Sequence, residues 1–208
     1  MKRIVILGNS GSGKSTLARW LAGQAGVPVL DLDSVFWEPG RVAVPRSPEA
    51  AAAEVDSFCG ATAGWVVEGC YGSLVRVALR HRPGLVLLDP GVDSCVAHCR
   101  SRPWEPHKYA TAEEQNSRLD LLLDWVREYP TRPGEMGFAD HWSCFQDYPG
   151  SKLHLTDVPV LDPESKSEGA GADRMLEGLL DWLRPGLAGG VGGSGGWGAR
   201  ESPESQNG

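Results

Sequence analysis

No apolar stretch in these 208 residues is long enough to span a bilayer or to form a secretory signal core, since the N-terminal run Ile4-Val5-Ile6-Leu7 has only four residues. No useful run of lysine or arginine is present, and a formal net charge of −7 repels a nucleic-acid backbone, which argues against nucleic acid as the main ligand. The five cysteines are odd in number and lack framework spacing, as expected of reduced thiols. Cys95, His98 and Cys99 share one predicted helix without a distant fourth ligand, so packing is expected of them rather than metal binding. These absences together predict a soluble, cytoplasmic protein with no membrane partner and no protein partner evident. Hydrophobic residues make up 41% of the chain, enough for one substantial α/β core. A single domain over residues 1–184 is expected. The glycine-rich stretch 185–208 cannot bury enough apolar area to offset the entropy of ordering it, and is expected to be a disordered tail.

What is present begins directly after that first apolar run. Gly8-Asn9-Ser10-Gly11-Ser12-Gly13-Lys14-Ser15 fits the phosphate-binding pattern G-x-x-x-x-G-K-[ST]. A strand ends at Leu7, glycines allow the chain to curl, and the following helix turns its free N–H groups toward a phosphate chain. Lys14 supplies a charge able to reach the β- and γ-phosphates, Ser15 a hydroxyl for Mg²⁺, and Thr16 a polar group near the α-phosphate. The predicted ligand is a nucleoside triphosphate with Mg²⁺.

Apolar strands then alternate with helical patterns, the signature of a parallel sheet with crossover helices. Strands are predicted at Arg3 to Leu7, Val27 to Leu32, Trp65 to Glu68, Leu85 to Asp89 and Lys152 to Leu155. Helices are predicted from Lys14 to about Gln24, Ser47-Pro48 to about Phe58, Gly72 to Arg80, and Val92 to Arg100. A further helix is opened by the capping box at Thr111, with Leu119, Leu122, Leu123 and Val126 on its apolar face, and a last one runs from about Asp173 to Trp182.

In open parallel sheets ligands collect at the carboxyl ends of strands, so polar residues there matter most. The second strand ends in Asp31-Leu32-Asp33, where alternation would send both carboxylates to one side. Asp33 is a candidate to accept a hydrogen bond or proton from an acceptor hydroxyl, or else to cap the following turn. Glu68 is a candidate outer-sphere Mg²⁺ partner, and Gly69 would permit close approach of a ligand. Tyr71 either lines the acceptor pocket or packs as an ordinary aromatic. Residues 100–112 concentrate basic, aromatic and proline residues and are predicted to form a short lid, with Arg102 the first choice for a clamp on the transferred phosphoryl group and Arg100 the second. Of Arg127 and Arg132, Arg127 is the better placed to meet an anionic substrate. Surface placement is favoured for His107 and Lys108.

The phosphate-binding loop, Asp-x-Asp after strand two, Trp-Val-Val-Glu-Gly-x-Tyr on strand three and Arg-x-Arg-Pro in the lid resemble the adenylate kinase/shikimate kinase group of small P-loop kinases. Within that group they look most like bacterial adenylate kinase-related proteins of the topology-modulation type, over about residues 1–160. The resemblance implies a three-layer α/β fold with a five-stranded parallel sheet in the order 2-3-1-4-5, and ATP-Mg as donor. By the same analogy Asp33 meets the acceptor, Asp31 supports the metal shell and Arg102 is the lid arginine. The expected function is transfer of the γ-phosphoryl group to a small acceptor, at a hydroxyl. Nucleoside monophosphate kinase chemistry, with Arg41 or Arg46 on the acceptor phosphate, is one alternative, and a nucleotide-binding regulatory ATPase is the other. The arginine that follows Asp-Gly-Phe-Pro in adenylate kinases is missing here, as is the shikimate kinase glycine triplet. No Asn-Lys-x-Asp string occurs, against guanine specificity.

Overall fold

Strand β1 (Arg3–Gly8) lies at the centre of a five-stranded parallel sheet, flanked by β3 (Trp65–Gly69) and β4 (Gly84–Leu88), with β2 (Val29–Asp31) and β5 (Lys152–Leu155) at the edges. The order is therefore β2-β3-β1-β4-β5. This computed structural model describes residues 2–38, 44–105 and 110–158. The expected tail, the helix predicted from Asp173, and Arg41, His107 and Lys108 lie outside the described residues.

Two-residue alternation along β1 divides the core between the sheet faces. Ile4 and Ile6 join Val66, Val86 and Leu88 under helix α1 (Lys14–Ala25), which contributes Leu17, Ala18 and Leu21. Val5 and Leu7 join Trp65, Val67, Leu85 and Leu87 on the opposite face. That face is covered by α3 (Pro48–Ala61), α4 (Gly72–Leu79) and α8 (Phe138–Asp147). Between β2 and α3 lies the single helical turn α2 (Asp33–Phe36). Beyond the strand tips, α5 (Val92–Arg100) and α7 (Leu119–Arg127) form a third apolar cluster from Cys95, Cys99, Leu123 and Val126.

Several boundaries follow their sequence signals. The Ser47 side chain accepts the Ala50 amide at the start of α3, Thr111 does the same for Glu114, and Gly26 ends α1 in the left-handed region at φ 63°. Four expectations need correction. The helix predicted from Thr111 through Val126 is two, α6 (Ala112–Ser117) and α7, separated at Arg118, whose dihedrals of φ −103° and ψ 0° depart from the ideal helix directly after the weak helix formers Asn116 and Ser117. Strand β2 is three residues long rather than Val27 to Leu32, because its paired register spans only Val29 to Asp31. Asp33 is not on a strand tip but opens α2, and α8 was not anticipated.

Candidate functional site

The loop between β1 and α1 makes the turn its glycines predict, with Gly11 at φ 78° and Gly13 at φ 94°. Helix α1 starts with no side-chain cap and no acidic residue in its first turn, unlike α3 and α6, so its leading amides and positive end face the loop. Ser12 Oγ is fully buried without a hydrogen-bond partner among the described residues. An orphaned hydroxyl beside uncapped amides suits phosphate oxygens. Lys14 is 8% exposed and donates from Nζ to the Asn9 carbonyl at 2.7 Å. Ser10 is half-buried and Thr16 exposed.

From the third strand Glu68 comes up beside Lys14. Burial pushes its carboxyl above the usual range, the Lys14 ammonium pulls it back, Asp31 and Asp33 add to the rise, and the Ser15 hydroxyl helps hold the charge. Lys14, Ser15, Asp31, Asp33 and Glu68 therefore share one electrostatic centre at the carboxyl ends of three adjacent strands. Among the described residues no group of three His, Cys, Asp or Glu side chains forms a metal cage. A Mg²⁺ ion carried on nucleotide phosphates does not need one, since it keeps several waters and takes few protein ligands.

Asp31 and Asp33 do not act as a strand-tip pair. Asp31 Oδ1 accepts the Asp33 amide at 2.9 Å, closing an Asx turn that starts α2, so the turn-forming role anticipated for Asp33 belongs to Asp31. Asp33 Oδ1 accepts the Tyr71 hydroxyl at 2.6 Å, and Trp37 Nε1 donates to the same hydroxyl at 2.8 Å. The Phe36 ring stacks on Tyr71, with centroids 4.1 Å apart. Burial and Asp33 both push the phenol above its ordinary range, so it remains a donor. At Gly69 a Cβ would meet the Leu32 side chain at 2.7 Å, so the absent side chain makes room for packing.

The candidate arginines sit in different surroundings. Arg127 is exposed and pairs with Asp124 at 2.7 Å. Arg132, the second choice in sequence, is 8% exposed; one terminal nitrogen donates to the Met136 carbonyl, while Nε and Nη2 are buried without partners among the described residues. Its guanidinium lies 3.5 Å from the centroid of the Trp125 ring, and burial lowers its affinity for its proton. Arg132 lies within electrostatic reach of Cys70, whose thiol burial pushes up to about 12 and which also senses Lys14, Asp33 and Glu68. In the segment predicted to form a lid, Arg102 pairs with Glu105 at 3.2 Å and with Arg100 and Arg118 lines a pocket between α5, α6 and α7. Arg46 pairs with Glu54 at 2.6 Å on the surface.

His141 is a buried residue that sequence reading missed. Its Nε2 faces the Cys70 carbonyl at 2.9 Å and its Nδ1 faces the Tyr129 hydroxyl at 2.8 Å. A carbonyl only accepts, so Nε2 carries the hydrogen and Nδ1 accepts from Tyr129. Burial lowers the ring's pKa to about 4, which keeps it neutral. Cys95 and Cys99 are buried against the loop between β1 and α1, and His98 Nδ1 donates to the Gly11 carbonyl at 2.8 Å.

No protein-family model matches the chain, and no curated protein matches it in sequence. Among solved structures, an unliganded sugar kinase from Janibacter sp. HTCC2649 is similar with 16% identity and a TM-score of 0.51, the match covering 88% of this chain and 94% of that one. A shikimate kinase from Bacteroides thetaiotaomicron is similar with 17% identity and a TM-score of 0.50, the match covering 86% of this chain and 98% of that one. At such identities the likeness is one of fold. The chain shares with these two structures an α/β fold built on a five-stranded, all-parallel sheet, here in the order 2-3-1-4-5.

Proposed function

We propose that this protein is an ATP-dependent phosphotransferase that passes the γ-phosphoryl group to a hydroxyl of a small anionic acceptor. The observation that carries this reading is Lys14: a buried ammonium resting on a main-chain carbonyl, beside Glu68 and an uncapped helix end. Lys14, the loop amides from Gly8 to Gly13, and Ser15 would hold the ATP phosphates, with Thr16 at their edge. Ser15, Glu68 and Asp31 would serve the Mg²⁺, whose chemistry when bound is to neutralise charge on the phosphate oxygens.

Asp33 then orients the acceptor hydroxyl. Its bond from Tyr71 stabilises the charged carboxylate, which makes it a weaker base and a more fixed hydrogen-bond acceptor. Arg132 faces the acceptor's own negative group, because a buried guanidinium with two unpaired nitrogens is completed by a carboxylate or phosphate. Arg102 leaves Glu105 to meet the phosphoryl group as the lid closes. Positioning and charge neutralisation supply the rate acceleration. A resemblance to adenylate kinase-related proteins fits this reading, while the surface pairing of Arg46 gives a nucleoside monophosphate acceptor no support.

The test is calorimetry with MgATP together with ADP release across a panel of metabolites, for wild type and Lys14→Ala. One acceptor should raise ADP formation well above the water background, and Lys14→Ala should lower turnover by roughly 100-fold or more. Unchanged ATP affinity and turnover in Lys14→Ala would overturn the assignment. Saturable ATP binding without stimulation by any acceptor would favour a regulatory ATPase.

A further inference from the structure

Asn9 stands at a position where the phosphate-binding pattern accepts any residue, yet it is 2% exposed and hydrogen-bonded through every polar group of its side chain. Its Nδ2 donates to the carbonyl of Val126, in the last turn of α7, at 3.0 Å. Its Oδ1 accepts the Ser10 amide at 2.8 Å, which fixes the orientation of the side-chain amide. Its main-chain carbonyl accepts the Lys14 ammonium at 2.7 Å and the Ser12 amide at 3.2 Å. One residue therefore touches the ammonium of the phosphate cradle with its backbone and a helix 117 residues away with its side chain.

That helix end leads to the acceptor side. Val126 is fully buried, and its carbonyl also receives the Tyr129 amide at 3.3 Å. Tyr129 bonds His141, which holds the Cys70 carbonyl beyond the tip of β3. Arg132 follows, its amide bonded to the Glu128 carbonyl at 2.7 Å and its guanidinium over Trp125. Segment 126–132 is thus an arm whose root hangs on Asn9.

We propose that Asn9 is a positioning residue that couples nucleotide occupancy of the loop to the placement of Arg132. The inference rests on the kinase reading above. When a phosphate chain draws Lys14 off the Asn9 carbonyl, the peptide between Asn9 and Ser10 loses a charged partner. The side-chain amide is tied to that same peptide through Ser10, so it turns with it and carries the Val126 carbonyl along. In so tightly packed an interior, small shifts at one site are passed on rather than absorbed.

Trp125, lying under the Arg132 guanidinium, is the reporter. Tryptophan emission is followed during titration with MgADP to saturation, so that differences in affinity do not enter, and calorimetry measures binding in parallel. The Trp125 component is isolated by subtracting the signal of Trp125→Phe. Wild type should show a MgADP-dependent Trp125 component, and Asn9→Ala and Asn9→Asp should lose it. Asn9→Asp keeps an acceptor for Ser10 but has no donor for Val126, so it stands in if the alanine variant does not fold. A Trp125 component that survives both variants, or wild type that binds MgADP without one, overturns the coupling and leaves the kinase reading intact. Calorimetry showing no MgADP binding by folded wild type overturns both.

Discussion

The Tyr71 hydroxyl and the Asp33 carboxylate lie 2.6 Å apart, and the phenol that donates to Asp33 is itself held by the Trp37 indole. The three groups connect α2 and the residue after it to the turn that follows β3.

Replacing Tyr71 with Phe keeps the ring that stacks on Phe36 but removes a charge-assisted hydrogen bond and leaves the Trp37 N–H unpaired. A loss of about 2 kcal/mol is expected from denaturant unfolding. A change below about 0.5 kcal/mol would mean that water replaces the phenol freely, and Tyr71 would then contribute only apolar packing.

Arg132→Met tests whether the buried guanidinium is kept for binding rather than for stability. The variant gives up the bond to the Met136 carbonyl and the contact with Trp125, but also relieves two buried unpaired nitrogens at about 1–3 kcal/mol each. Folding stability should be equal or higher, while stabilisation by added inorganic phosphate, read as a thermal shift, should shrink relative to wild type. Marked destabilisation with an unchanged phosphate response would assign Arg132 to the scaffold.

The buried His141 predicts a pH dependence with a definite sign. Its folded pKa of about 4 lies below the ordinary 6.5, so between those values the unfolded chain binds the additional proton. Stability from this group is therefore complete above pH 6.5 and falls as the pH drops toward 4, by up to about 3 kcal/mol. Glu68, whose carboxyl is raised, acts in the opposite direction over its own range. Comparing wild type with His141→Asn in urea from pH 7.5 to 5 removes the Glu68 contribution, and the difference between the two should narrow as the medium becomes acidic. A constant difference would contradict a neutral, buried ring.

Legibility in sequence followed the range of the forces involved. The glycine-rich loop after β1, the caps at Ser47 and Thr111 and the strand runs other than β2 are local signals, and the structure places them as their residues dictate. The sheet order came from a resemblance to known folds, because composition carries no record of which strands pair. Helix α8 was missed since its N-cap position is Gly137, with no side-chain cap, and its residues mix aromatic with polar groups. Arg127 and Arg132 differ in burial, which α7, α8 and the turn between them create together. No window of residues around either arginine contains that information.

The close approach of Gly137 to the Arg132 carbonyl carries a consequence of its own. A Cβ at position 137 would sit 1.9 Å from that oxygen, against backbone that cannot swing aside. Any exchange at this glycine therefore displaces the arginine without touching it. In a saturation library selected for activity, position 137 should be as intolerant as position 132, whereas a library sorted only for expression should tolerate losses at 132 and still reject those at 137.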